Sequence, residues 1–358
     1  MDIVTHMLIG AAVAQLPEQA TPSQLKSKAT LTWQSRATIG AFTAIFPDID
    51  YILFFWNPLE FLANWHRAET HSLLLSPLWA WLLSLVWQRY YHRYQDIKLL
   101  FKLSLAGILS HIISDSFTVF GTKWFAPFSD YQVSWDLLFV VDGYLTLTTL
   151  IALILLIYMR KNSYRIFSLA LPLGYLTLIL IVKQNAIVQT TARAIDVANP
   201  PPPKILLPQP FSPFYWQVIE PTDTGFNQAY LKLANDVIAI KASEIVGLES
   251  YQDSFQLAHQ LSWNSYSVTP KDSYLQQEAN QVWHHQKFSA FRQFAKYPVF
   301  YDYTKSSSRT CVWFSDLRYH WPNIIPSFRI GMCREAGAFW KLYRKKYFSS
   351  EQIEIIDR

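Results

Sequence analysis

Six apolar stretches succeed one another in the first half of the chain, and histidines and aspartates are set into them. They are Met1 to Leu16, Ala37 to Trp56, Ser72 to Trp87, Leu99 to Phe120, Leu137 to Met159 and Ile166 to Val182. About 20 apolar residues suffice to cross a bilayer as a helix. The pattern predicts an α-helical membrane domain over residues 1–183 with about six membrane segments, the first of them partial. Charge is distributed accordingly. Residues 1–183 hold 24 of the 57 Asp, Glu, Lys and Arg, bunched between the apolar runs. The remaining 33 lie in a half that reads as soluble. With 51% hydrophobic and 16% aromatic residues the chain is not disordered.

The net charge of +5 does not indicate nucleic acid, because no basic run with interleaved aromatics occurs. Much of the Lys and Arg lies instead in short loops, where such residues set membrane orientation. Loops 17–36, 89–102 and 160–165 hold ten basic residues, whereas loops 57–71 and 121–136 hold only Arg67 and Lys123. This assigns the basic loops to the cytoplasm of a multi-pass inner (plasma) membrane protein and places the C-terminal half outside. A cleavable signal peptide fits the N-terminus poorly, because Asp2 stands where a positive charge is needed.

The acidic residues repeat this polarity. Of eleven Asp and Glu in residues 1–183, only Glu18 and Asp96 fall in basic loops. His6, His66, His71 and His111 belong to the outer level, and His92 alone to the inner. An ionisable residue in a membrane segment is a functional candidate with a partner to be found. His111 and Asp115 are four apart and share a helical face. Asp48 and Asp50 follow Pro47, and they converge only if the backbone leaves regular helical geometry. In His66-Arg67-Ala68-Glu69-Thr70-His71 the spacing places His66 in a loop and His71 at a helix start. Taken singly, Asp48 or Asp50 suits a helix cap, His6 a packed histidine, and Asp130 and Asp136 loop acids. Together, so many His and Asp at one level on four segments are hard to assign to capping. Mixed imidazole and carboxylate donors suit zinc, with manganese or iron as alternatives.

These motifs carry a resemblance. Thr5-His6, the P-D-I-D of 47–50, the H-R-A-E-T-H-S of 66–72, the H-I-I-S-D of 111–115 and the P-F-S-D of 127–130 resemble the bacterial membrane-bound, predicted metal-dependent hydrolase family. Some of its members are described as LexA-regulated inner-membrane proteins. The resemblance covers roughly the first 150 residues and implies metal ligation by His6, Asp48, Asp50, His71, His111 and Asp115, with His66 of the same motif in the candidate set. A weaker likeness is to zinc-dependent phospholipase C, although a second HxxxE element is not evident here.

After Lys183, residues 184–203 read as a linker in which Pro200 to Pro203 forms a rigid break. Strands are predicted at Phe214 to Glu220, Tyr297 to Tyr303, Thr310 to Arg318 and Phe328 to Arg334, with a helix over Ser273 to Ala295. Residues 204–358 are thus expected to form a small extracytoplasmic α+β domain. Both cysteines, Cys311 and Cys333, lie in it on neighbouring predicted strands, and an oxidising compartment permits a disulfide between them.

The functional expectation is a metal-dependent hydrolase. A divalent ion activates water against an ester or phosphoester, a membrane lipid by depth alone. Asp50 is the candidate general base and Arg67 the candidate anchor for an anionic phosphate. A metal-transporting membrane protein is the main alternative, and a non-catalytic scaffold a third. Transport needs polar groups along a path to both faces, whereas the inner halves of these segments are nearly free of charge.

Overall fold

The computed structural model describes residues 1–16, 31–91, 96–159, 167–191, 202–245, 247, 249–347 and 349–355. Half of the basic residues used above to orient the chain, His92, and Pro200 and Pro201 of the polyproline break lie outside them. The described chain divides into two compact units. One comprises Met1–Asp50 and Arg67–Ile181, the other Tyr51–His66 and Val182–Arg358. The assignment of 51–66 to the β-rich unit is new relative to the sequence reading.

The first unit is helical. Its helices are α1 (Ile3–Val13), α2 (Trp33–Ile45), α3 (Ser76–Tyr90), α4 (Ile97–Asp115), α5 (Gly143–Tyr158) and α6 (Ala170–Thr191), which runs on into the second unit. Short polar side chains start four of them. Asp2, Thr32, Asp96 and Asp142 accept hydrogen bonds from the backbone N–H of Thr5, Ser35, Leu99 and Leu145, satisfying donors that a helix start leaves open.

The expectation of six spans is not supported. Among the described residues, three helical stretches are long and apolar enough to cross a membrane: Trp33–Phe55, Ile97–Asp115 and Ala170–Thr191. A fourth is counted if the broken pair Pro58–His71 and Ser76–Tyr90 forms one span. The clearest run in the sequence, Leu137 to Met159, fails because its first part is not helical. Asp142 caps a helix that begins only at Gly143 and has 16 residues, about 24 Å at 1.5 Å per residue. An apolar run fixes where a helix can lie, and the cap fixes where it starts.

Backbone contact at glycine brings α1, α2 and α4 together. A Cβ on Gly10 would lie 2.3 Å from the Gly40 carbonyl oxygen, and one on Gly40 would lie 2.2 Å from that of Gly10. On Gly107 it would lie 2.1 Å from Thr43 Oγ1. Small residues allow this approach, which gives apolar helices their packing energy where no hydrophobic drive between them exists. Gly10 is one turn from His6 and Gly107 one turn from His111, so the contact layer lies directly beneath the polar residues. Ala14, Ile39, Leu100 and Leu103 continue the packing on one side. Ala80, Ile108 and Ile112 extend it to α3.

The second unit carries two antiparallel sheets. The first runs in the order β1 (Ile205–Pro208), β2 (Tyr215–Thr222), β3 (Gly225–Lys232) and β4 (Asn264–Ser267). The second is a meander of β5 (Pro298–Lys305), β6 (Arg309–Asp316), β7 (Arg329–Glu335), β8 (Lys341–Lys345) and β9 (Gln352–Glu354). The predicted helix over Ser273 to Ala295 is two, Ser273–Trp283 and Ser289–Phe294. His285 interrupts it, its ring accepting from Lys287 N. Cys311 and Cys333 face each other across β6 and β7 and form a disulfide. Residues of the 51–66 segment, Phe54, Pro58, Leu59 and Leu62, line an apolar recess with β7 and β8.

The glycine layer is directly testable. Gly40→Val places atoms inside the Gly10 carbonyl and is expected to destabilise the helical unit by about 1–3 kcal/mol or more. Gly174→Ala, where an added Cβ meets nothing within 4 Å, is expected to be neutral or stabilising by about 0.5–1 kcal/mol. Thermal unfolding in detergent micelles compares the two, and equal melting temperatures would contradict the close-contact account.

Candidate metal centre

α4 presents His111 and Asp115 from successive turns, both buried. Beyond α2 the backbone tightens at Phe46 into a 3₁₀ segment, Phe46–Phe55, that carries Asp48 and Asp50. The departure from α geometry lets the two carboxylates flank one imidazole. That imidazole is His71, which sits in a single 3₁₀ turn, Glu69–His71, rather than at the start of α3 as its spacing suggested. α1 supplies His6.

Four groups converge. Ligand atoms of Asp48, His71, His111 and Asp115 all lie within 4.8 Å of one another. His71 Nε2 is 3.0 Å from His111 Nε2, 3.4 Å from Asp115 Oδ2 and 3.5 Å from Asp48 Oδ1. His111 Nε2 is 3.4 Å from Asp115 Oδ2 and 3.6 Å from Asp48 Oδ1.

The surrounding hydrogen bonds fix which imidazole nitrogens carry protons. His111 Nδ1 contacts the Ala44 carbonyl. A carbonyl oxygen only accepts, so Nδ1 is the protonated nitrogen and, in the neutral ring, Nε2 presents its lone pair. Thr70 Oγ1 donates to Asp50 Oδ2 at 3.3 Å and therefore accepts from His71 Nδ1 at 3.0 Å. The Nε2 lone pair of His71 is thus turned to the same point. Two imidazole lone pairs at 3.0 Å repel unless a proton or cation lies between them. Asp115 Oδ2 is buried, faces both rings at 3.4 Å and is ion-paired with Arg67 Nε. Two nitrogen and two oxygen donors of this kind fit a divalent metal ion, and the donor types agree with zinc, manganese or iron.

The other sequence candidates surround this set. His6 donates or accepts at both nitrogens, to Asp115 Oδ1 at 3.1 Å and Ser114 Oγ at 3.2 Å. Its ring stacks on His111 with centroids 3.7 Å apart. Asp50 accepts from Arg67 N at 3.1 Å and lies 3.5 Å from His71 Nδ1, the place of a carboxylate that orients a ligand. Arg67 was expected to meet an anionic substrate, but its nitrogens are engaged inside the protein. Nη2 donates to Asp115 Oδ1 at 2.9 Å, Nη1 to Thr118 Oγ1 at 2.8 Å, and Nε lies 2.8 Å from Asp115 Oδ2. Arg67 therefore holds Asp115, and does so from a left-handed backbone (φ 56°) that only tight fixing sustains in a side chain of this size. His66 falls in the other unit, where its ring stacks on Phe61 and meets Tyr51 edge-on. Asp130 pairs with Lys123, and Asp142 accepts from Tyr175.

Sequence reasoning missed Thr70, Ser114, Thr118 and the Ala44 carbonyl. Thr70 adjoins His71, and the other three lie within four residues of a motif residue, but their hydroxyl or carbonyl chemistry has no spacing signature.

The profile of the YdjM inner membrane protein family matches residues 1–187, a stretch that contains all of these residues. The chain belongs to the YdjM inner membrane protein family. A protein of Bacillus subtilis (strain 168) described as uncharacterized protein YfhP is 27% identical over 156 residues, 43% of this chain and 45% of that one. The chain thus matches under half the length of this relative. No solved structure matches. Membership of the family and the apolar helices together support inner-membrane location.

If the four donors act as one site, the purified protein retains about one divalent ion per chain, and His111→Ala and Asp115→Ala each abolish retention. Asp50→Asn, which removes only the orienting charge, is expected to weaken retention about 10–100-fold. Elemental analysis after dialysis reads all three. Unchanged metal content in the His111 and Asp115 variants would rule out the site.

Proposed function

We propose that this member of the YdjM family is a membrane-bound metal-dependent hydrolase acting on an ester or phosphoester, with membrane lipid as the substrate class, at the outer face of the inner membrane. The observation that carries the reading is the convergence of Asp48, His71, His111 and Asp115, with both imidazole lone pairs turned to one point. A divalent ion bound there, zinc by preference, supplies Lewis acidity toward the ester and lowers the pKa of water. The protein does the rest. Thr70 and Asp50 hold the His71 tautomer, the Ala44 carbonyl holds that of His111, and Arg67 holds Asp115 in position. Asp48 has a 12% exposed side chain, against 0–1% for the other three. Substrate therefore approaches past Asp48, and its carboxylate is the group placed to take up a proton.

Transport is the weaker reading because the helices close beneath the site. At Gly10, Gly40 and Gly107 backbone and side-chain atoms touch with no room for an added methyl group, which opposes the two-sided polar path that transport needs.

Metal-loaded protein in micelles, offered chromogenic carboxylic esters, phosphomonoesters and phosphodiesters, is expected to turn over one class. Asp48→Asn should lower the rate at least about 100-fold while retaining more metal than His111→Ala. Turnover absent for all classes, or unaffected by either substitution, would dismiss the hydrolase reading.

The location of the C-terminal region outside the cytoplasm is part of the same proposal. It is supported by the ten-to-two bias of basic residues between alternate loops and by the Cys311–Cys333 disulfide. Alkaline phosphatase fused after Arg358 folds only outside the cytoplasm, so the fusion should be active. An inactive phosphatase fusion together with a fluorescent cytoplasmic reporter at the same position would reverse the topology.

A further inference from the structure

The chain between α4 and α5 closes its backbone and exposes its aromatic rings. The N–H groups of Thr122, Lys123, Trp124, Ala126, Phe128 and Ser129 all donate to carbonyls of the protein, and Pro127 has none to donate. Phe125, Phe128 and Tyr131 are 44%, 83% and 69% exposed. A loop in water needs neither feature, because solvent pairs its backbone and a cluster of large exposed rings is unfavourable there. Where water is scarce both are expected, since an open N–H then has no other partner. The turn contains the P-F-S-D of residues 127–130, a motif to which the metal centre gives no part.

The position of this turn is fixed from both sides. α4 is long and apolar enough to cross a membrane and ends at Asp115, so the residues after it emerge at a membrane surface. Trp135 N donates to the Ser116 carbonyl and Leu137 N to the Phe117 carbonyl, each at 2.7 Å, and Thr122 pairs with Val133. The loop therefore folds back onto the two residues that follow α4. Beyond it, the exposed Val140 and Val141 lead into α5, where Leu147 and Ile154 are exposed as well.

We propose that the Phe125–Tyr131 turn is seated at the boundary of headgroups and acyl chains, at the Asp115 end of α4, with its rings in contact with lipid. Attachment selects lipid as the occupant, because the turn is hydrogen-bonded to the end of a membrane-crossing helix. Composition agrees. Phe and Tyr rings, with Trp135 behind them, suit the membrane–water boundary, and the Lys123–Asp130 ion pair balances the charge that the turn carries. Three hydrogen bonds fasten the turn to the frame of the metal centre. They run from Lys123 N to the Arg67 carbonyl at 2.9 Å, from Leu73 N to the Trp124 carbonyl at 2.9 Å, and from Ser72 Oγ to the Ala126 carbonyl at 2.7 Å. Arg67 holds Asp115, and Ser72 adjoins His71. The lipid contact is thus tied to the metal centre, and it stands whether or not that centre hydrolyses lipid.

The full-length chain, reconstituted at one copy per nanodisc of phosphatidylethanolamine and phosphatidylglycerol, tests this. Phe128→Cys and Tyr131→Cys are each labelled with an environment-sensitive fluorophore, and the cysteine adduct of the same fluorophore in water is the reference. The native cysteines are disulfide-bonded and stay unlabelled. Expected at both positions are blue-shifted emission and weaker quenching by aqueous iodide than the adduct shows. Lipid brominated near the glycerol end of its chains should quench more strongly than lipid brominated near the chain ends. Emission and iodide quenching equal to those of the adduct would place the turn in water and overturn the proposal. Stronger quenching by the chain-end bromines would overturn the boundary placement. Shielding without quenching by either lipid would assign the rings to protein, and shielding seen only when two chains share a disc would assign them to a second copy; either overturns the proposal. Both replaced side chains are exposed, and unchanged far-ultraviolet circular dichroism checks that the fold is retained.

Discussion

A carboxylate sealed among apolar helices is tolerated only when charge of the opposite sign reaches it, and Asp115 imposes that demand on the helical unit. It is 1% exposed. Its Oδ1 accepts from Arg67 and His6 and pairs with the Met1 amine, while Arg67 Nε lies beside Oδ2. The α1 terminus, the loop before α3, and α4 are thereby joined at one atom pair. Removing a partner of a buried charge costs several kcal/mol, far more than losing an exposed pair. Partner and carboxylate thus enforce each other. Oδ2, held by Arg67 Nε, also faces His71 and His111 at 3.4 Å, and that corner is the candidate metal site.

The glycine layer is what makes such convergence geometrically possible. Gly10 against Gly40, and Gly107 against Thr43, hold α1 and α4 close to α2 one turn from the polar residues, and at that level the His6 ring of α1 stacks on the His111 ring of α4 with centroids 3.7 Å apart. Packing and chemistry are therefore one design. The residues without side chains set the spacing, and the ionisable residues above them make use of it.

Much of the site was legible in the sequence because buried charge is costly. His and Asp set into apolar runs at one level had to find partners, and Asp48, His71, His111 and Asp115 do so. Roles within the cluster were less legible. Asp50 and Arg67 carry the right chemistry for a base and an anion anchor, yet hydrogen-bond direction makes one an orienting group and the other a clamp, and direction leaves no trace in spacing. The span count failed at Asp142, where an apolar run and a helix part company, and at α1 and α3, whose helices of 11 and 15 residues are too short to cross alone. In the β-rich unit the aromatic-rich strands β2, β5 and β6, and β7 next to Phe328, were visible by composition. β3, with the sequence GFNQAYLK, was not, since Gly, Asn and Gln are poor strand formers and its conformation comes from pairing along all of β2. The glycines had no signal separable from ordinary helix content until their neighbours were known.

The excursion of residues 51–66 joins these themes. It leaves the helical unit after Asp50, returns at Arg67, and belongs between those points to the β-rich unit. A hydrogen bond from Arg67 N to Asp50 Oδ2 joins its two ends. The same Asp50 oxygen lies beside His71 Nδ1, and the same Arg67 holds Asp115. The residues that pin the neck of the excursion are thus those that orient two of the four donors. At Arg67 the backbone is left-handed (φ 56°), and from there its N–H reaches Asp50 and its guanidinium reaches Asp115.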